Sequence, residues 1–305
     1  MRTWERIKKS YLLYSFRRDP VAILSFSVLA VLVVISILAP VVAPHNTYDT
    51  ATIDIMDAEL PPTWMDGGDE RFLLGTDIQG RDLLSTMIYG LRVSLLIGVG
   101  AVLFQALVGI LVGLLSGYLG GKLDAFLMRI ADIQFSIPYL IVAIFTSAIF
   151  KLAFGVGRYE ELAVPLLIII IGMSEWPKYA RTVRASVLGE KNKEYVEAAR
   201  VIGISRWHIM YRHVLPNTLT PVLVISTIQV AEAVMSEAAL SFLGLGMPVT
   251  KPSLGTLIQS GFEYIFSGSW WITFYPGILL VILILVILLL GDWLRDVLNP
   301  KLYKG

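Results

Sequence analysis

Glu232 and Glu237 stand in an otherwise apolar run, Thr218 to Leu245, together with Gln229. A carboxylate at membrane depth is costly, so it faces a partner, a neighbouring helix or a water-filled path. Five residues is about 140° round a helix, so the two acids need not share a face. Three uses stay open: one or both meet a cationic or amino group of a passing solute, they bond adjacent helices, or they carry protons in a secondary transporter. No other constellation offers chemistry. His45, His208 and His213 are scattered, and the chain has no cysteine, which removes thiolate nucleophiles, disulfides and thiolate metal sites. No nucleophile–base pair, paired-carboxylate pocket or metal cluster occurs at a workable spacing. The nearest approach to a phosphate-binding loop surrounds Gly121 and Lys122, but Ser116 holds the first glycine position and Leu123 replaces the hydroxyl. That segment reads as a turn. The chain is expected to be no enzyme, to have no catalytic residue and to hold no metal or cofactor of its own.

The elements around these residues are set by hydropathy. Apolar residues make up 56% of the 305 and charged residues 16%, with a mean hydropathy of +0.71. Soluble domains carry about 45–50% and about 25%, so bilayer is the natural solvent for the excess. Six spans are expected: Val21–Val42, Val93–Leu119, Ile133–Phe154, Ala163–Trp176, Thr218–Leu245 and Ile272–Gly291. The first is too long, and lacks the small-residue cleavage site, to be a signal peptide. With both termini on one side, nineteen of the 25 lysines and arginines fall on that side, which predicts cytoplasmic termini.

The external loop from Ala43 to Tyr89 is acidic and reads as solvated and partly disordered, or as a docking surface for an external partner. Gly109, Gly113 and Gly117 put small residues on one face of the second span, for helix packing or for a seam with a partner subunit. Arg129 and Asp132 are spaced as a local pair. The segment from Pro252 to Gly261 reads as re-entrant or interfacial, and Trp270-Trp271 suits the headgroup belt. No internal repeat is evident.

Between the fourth and fifth spans lies the most basic cytoplasmic loop, 177–217. Residues 190–202 favour helix, Gly203 can supply a left-handed end to it, and Ser205 can cap a second short helix bounded by Pro216. Glu197-Ala198-Ala199 is followed by Gly203 six residues after Glu197, and by Leu215-Pro216.

This pattern resembles the cytoplasmic loop of permease subunits of binding-protein-dependent ABC importers, with His213 where the general pattern has isoleucine. The segments Leu74 to Asp82, Tyr89 to Leu95, Glu237 to Gly246, Gly291 to Asp296 and Asn299 to Leu302 are similar to the C-type subunit of dipeptide/oligopeptide permeases.

The resemblance implies an all-α membrane protein of the type I ABC importer permease fold. It also implies a division into residues 1–92, a permease core 93–291 and a tail 292–305. In that family the loop is a coupling helix seated on an ATPase subunit, which here makes Glu197, Ala198, Ala199, Arg200, Gly203, Leu215 and Pro216 the coupling residues. Gln229, Glu232 and Glu237 become the candidates for the translocation path. The implied partners are a second permease subunit, two ATP-binding subunits that hold ATP and Mg, an external substrate-binding protein and membrane lipid, with no nucleic acid. The implied cargo is a dipeptide or oligopeptide, carried across the plasma membrane. Nickel complexes, glutathione and oligosaccharides are the alternatives within the branch.

Overall fold

A computed structural model describes residues 11–49 and 53–298. Helices dominate it; among the described residues the only β pairing is an isolated bridge between Thr76 and Asp82. A short helix, α1 (Tyr11–Arg18), leads into α2 (Pro20–Ile37). Asp19 caps α2, its carboxylate accepting from the Val21 and Ala22 amides at 2.9 and 3.0 Å. The expected Val21–Val42 span is not one helix. It breaks at Leu38 (φ −85°, ψ 13°) before α3 (Ala39–Val42), because Pro40 has no N–H to donate to the Ser36 carbonyl one turn back and its ring crowds that carbonyl.

The longest helix is α4 (Leu83–Leu119), ten residues longer at its start than the apolar run predicted because Asp82 caps it upstream of the membrane stretch. The expected third span is broken as well. α5 (Gly121–Ser136) and α6 (Tyr139–Phe154) meet at 85°. The cause is Ile137-Pro138: Ile137 is extended (φ −103°, ψ 121°), as a residue preceding proline prefers. α7 (Val156–Glu190) contains Ala163–Trp176 and runs through Pro165 and Pro177 without ending. Among the described residues, four helices or helix runs are long and apolar enough to cross a membrane: Pro20–Ile37, Leu83–Leu119, Arg206–Phe242 and Trp271–Leu298. The bent α5–α6 pair makes a fifth if taken as one span.

The remaining helices are α8 (Glu194–Val201), α9 (Arg206–Ile209), α10 (Leu215–Phe242), α11 (Leu254–Phe262) and α12 (Trp271–Leu298). α12 passes Gly291 without a break. α4 and α7 pack along the glycine ladder. A Cβ at Gly109 would meet the Trp176 carbonyl at 2.7 Å, one at Gly113 would meet Val183 Cβ at 2.8 Å, and one at Gly117 would meet Val187 Cβ at 2.9 Å. Small residues are therefore what let these two backbones approach.

The segment expected to be external is folded rather than loosely solvated over its described part. Arg81 and Asp77 form a buried ion pair at 2.7 Å, and Arg81 Nη1 also donates to the Val249 carbonyl at 3.0 Å. Thr76 Oγ1 accepts from the Leu60 amide, and the Thr76 carbonyl accepts from Trp271 Nε1 at 3.3 Å. Trp271 is thus buried against Leu83, Met87 and Leu257, and of the tryptophan pair only Trp270 reaches the surface. α11 lies over α10: a Cβ at Gly255 would meet the Ala238 carbonyl at 2.6 Å.

Candidate functional site

The α7–α10 connection forms a hairpin of two short helices with its own hydrogen-bond frame. α8 ends in a left-handed Gly203 (φ +87°). The Gly203 amide donates to the Arg200 carbonyl at 3.0 Å and the Ile204 amide to the Ala199 carbonyl at 3.1 Å. These are the paired 5→2 and 6→1 bonds of a Schellman ending, which satisfy carbonyls that the helix leaves open. Ser205 then starts α9, its hydroxyl accepting from the His208 amide at 3.4 Å.

Pro216 does not bound this second helix. α9 passes through a π turn (Met210–Val214) into α10, so the hairpin and the fifth expected span form one run, Arg206–Phe242. A proline nitrogen cannot bond the preceding turn, and a wider turn there accommodates the ring. Asn217 Nδ2 covers the His213 carbonyl at 2.8 Å.

Side chains tie the hairpin to the membrane helices. Lys191 Nζ donates to the Gly117 carbonyl at 2.8 Å, a cation on the C-terminal end of α4. Glu190 pairs with Lys193 at 2.6 Å and accepts from the Tyr195 hydroxyl at 2.9 Å. Burial raises the Glu190 carboxyl, but the Lys193 and Tyr195 hydrogen bonds and the Lys193 charge outweigh it and hold the group below the usual carboxylate range. Arg184 clamps Asp124 of α5 through Nε and Nη2 at 2.6 and 2.7 Å. Asp132 takes Arg181 of α7 at 2.7 Å rather than Arg129, so the expected local pair is instead an interhelical one.

The residues expected to couple divide between two faces. Val196 and Ala199, three apart on α8, are buried with Ile209, Met210 and Val214, and this cluster is continuous with Leu114, Val183 and Val187 of the membrane helices. Glu197, Ala198, Arg200, Gly203 and Pro216 are exposed, and Leu215 is half-buried. Of the two alanines only Ala198 can meet a partner, because residues one apart on a helix point about 100° apart. Large apolar groups surround it: Val201 is 89% exposed, Ile202 78% and Trp207 55%. These three were not singled out from the sequence, although their position at the tip beside Gly203 was the available signal.

The three polar residues of α10 also separate. Glu237 is fully buried, its carboxylate accepting from Ser94 of α4 at 2.8 Å and from Ser241 at 2.6 Å. Ser253 donates to Ser241 Oγ at 3.2 Å, and Leu254 N donates to Ser94 Oγ at 3.3 Å, so this node joins α4, α10 and α11. Glu232 is half-exposed and pairs at 2.7 Å with Lys178 of α7, which also meets Glu175 at 2.7 Å. Gln229 is buried and bonds Gln105 of α4 at 3.3 Å.

A model of binding-protein-dependent transport system inner membrane components matches residues 109–304, well over half of the chain. The chain belongs to this family. A second model, the N-terminal TM domain of oligopeptide transport permease C, matches residues 10–62. Among relatives of this permease, the di/tripeptide transport system permease protein DppC of Pseudomonas aeruginosa is 38% identical over 288 residues, covering 94% of this chain and 90% of that one. The dipeptide transport system permease protein DppC of Bacillus subtilis is 33% identical over 301 residues, covering 99% and 85%. Among solved structures, an inward-facing MetNI methionine ABC transporter chain aligns with a TM-score of 0.56 at 23% identity, covering 70% of this chain and 97% of that one, a likeness of fold alone. The permease is thus a multi-pass plasma-membrane protein with the importer-permease fold.

Proposed function

We propose that this permease forms, with a second permease subunit, the path by which an ATP-driven importer carries di- or oligopeptides inward. Relatives named for dipeptide transport over nearly the whole chain support the cargo. The observation that carries the mechanism is the two-faced hairpin: a buried side fused to the α4–α7 core and an apolar tip, Ala198, Val201 and Ile202, left uncovered. In this reading the tip, with Glu197 and Gly203, seats on an ATP-binding partner that holds ATP and Mg, and Leu215-Pro216 begins α10 where the hairpin ends. α7 crosses as a further span, which with the bent α5–α6 pair gives six crossings and cytoplasmic termini. The divisions 1–92, 93–291 and 292–305 belong to the same reading. The folded external segment is the surface offered to a substrate-binding protein.

Glu232 and Lys178 are the favoured path residues. Glu232 lies 17 residues into α10, about 25 Å from its cytoplasmic end, and Lys178 12 residues from the end of α7, about 18 Å. Half-exposed charges at that depth are poorly suited to lipid and well suited to an aqueous path or a subunit seam. Glu237 serves instead as an internal tie.

The test is purification of this chain from its native membrane followed by peptide uptake in proteoliposomes. Copurification of two ATPase chains with ATP-dependent dipeptide uptake is expected. A chain that purifies alone and moves solute on a proton gradient would overturn the reading.

A further inference from the structure

The end of α4 and the hairpin enclose a cavity of about 310 Å³ lined by Tyr118, Leu119, Arg200 and Arg206. Two guanidinium groups border it. Among the described residues neither pairs with a carboxylate, whereas Arg181 and Arg184 nearby are both paired. Arg200 donates only to the Lys191 carbonyl, at 3.3 Å. Of the acids nearby, Glu190 pairs with Lys193 and Asp124 with Arg184, while Glu194 on α8 forms no ion pair among the described residues. Glu197, three residues before Arg200 on α8, makes no ion pair with it. The cavity is therefore bordered by two guanidinium groups free of ion pairs, a positive charge suited to a phosphate.

The cavity is also continuous with an apolar rail. Leu103, Leu107, Leu111 and Leu119 are exposed on α4, with half-buried Leu115 between them, one leucine every fourth residue. This row lies on the side of α4 away from the glycines that pack against α7, and its last member lines the cavity. We propose that the cavity binds the phosphate of an anionic phospholipid of the cytoplasmic leaflet, with an acyl chain lying along the leucine row. The proposal rests on the reading above that puts the hairpin in the cytoplasm, where basic pockets beside membrane helices hold such headgroups. Free phosphate shares the headgroup's chemistry but makes no use of the rail. A bound lipid would join the end of α4 to both hairpin helices.

The experiment uses the assembled complex in nanodiscs of phosphatidylcholine with or without phosphatidylglycerol, read by native mass spectrometry. Wild type should retain one more phosphatidylglycerol per copy of this chain than Arg206→Gln, Arg206→Lys should keep most of it, and excess inorganic phosphate should displace it. Leu119→Asn leaves both arginines in place and should also weaken retention; it keeps the test open if Arg206→Gln assembles poorly. Equal retention in wild type, Arg206→Gln and Leu119→Asn, or equal retention of phosphatidylcholine, would overturn the site. Bound inorganic phosphate without lipid would overturn the lipid as its source. A complex that imports peptide but shows no such lipid refutes this inference alone, whereas a chain without ATPase partners refutes the functional reading.

Discussion

Gly203→Val should separate ATP hydrolysis from uptake. Gly203 has φ +87° and open space where a Cβ would go, so the substitution meets no clash; its whole effect is backbone strain. Holding an L-residue in the left-handed region costs roughly 1–2 kcal/mol, and a β-branched one sits at the upper end or beyond. That is about a 5–30-fold shift away from the native turn. The turn holds the Gly203–Arg200 and Ile204–Ala199 bonds together, so losing it frees α8 from α9 and misplaces Ala198, Val201 and Ile202. The membrane core is untouched, and insertion and abundance should stay at wild-type levels. In proteoliposomes with the full complex, peptide uptake per ATP hydrolysed should fall at least fivefold. Gly203→Asn is the control, because asparagine tolerates this conformation, and it should retain most coupling. Normal coupling by the valine variant at normal abundance, or equal damage by asparagine and valine, would refute the argument.

Three further outcomes are expected. Gly113→Leu should overpack the α4–α7 contact, cost on the order of 1–3 kcal/mol or more, and lower membrane abundance as seen by immunoblot, while Gly120→Ala, with no neighbour within 4 Å, should not do so through packing. Arg81→Gln should leave the buried Asp77 carboxylate unpaired, cost about 3–5 kcal/mol locally, and appear as protease sensitivity of residues 53–82 with the membrane helices intact. The Glu190 carboxyl is depressed in the fold, so its contribution is present above the unfolded value of about 4.3 and is lost as pH falls below it. Amide exchange across 190–204 should accelerate in that window, and Glu190→Gln should remove the pH dependence.

The hairpin was legible because its rules are local: a glycine after an eight-residue helix and a serine before the next each act within a few positions. The bend at Pro138 was also encoded locally, yet hydropathy does not register a missing N–H, and so Ile133–Phe154 reads as one apolar run. Proline alone does not decide such cases, since Pro165 and Pro177 lie inside α7 without ending it. What sequence could not separate were residues of one type on one helix. Glu232 and Glu237 differ only in what stands opposite them, Lys178 in one case and Ser94 in the other. Ala198 and Ala199 differ only in which meets the Val196–Ile209 cluster. The buried Asp77–Arg81 pair sits in a segment whose composition reads as solvated, because its partner carbonyl, Val249, is 168 residues away.

These differences bear on how force would leave the hairpin in the proposed mechanism. α7 enters it and α10 leaves it, and the buried faces of α8 and α9 share one cluster with the α4–α7 seam. A push at the exposed tip therefore reaches both helices at once rather than deforming a loop. Further up, α7 and α10 are joined again by Lys178 and Glu232, and higher still α10 is fixed to α4 and α11 through Glu237 and its serines. The lower tie is half-exposed and charged, able to exchange its partners for water or a subunit across the path. The upper tie is fully buried with every oxygen bonded, so breaking it would leave polar groups stranded. In the proposed mechanism the Lys178–Glu232 tie is therefore the one expected to exchange, with the neighbouring Tyr179–Ser226 bond at 3.1 Å moving alongside it, and the Glu237 node the one expected to hold.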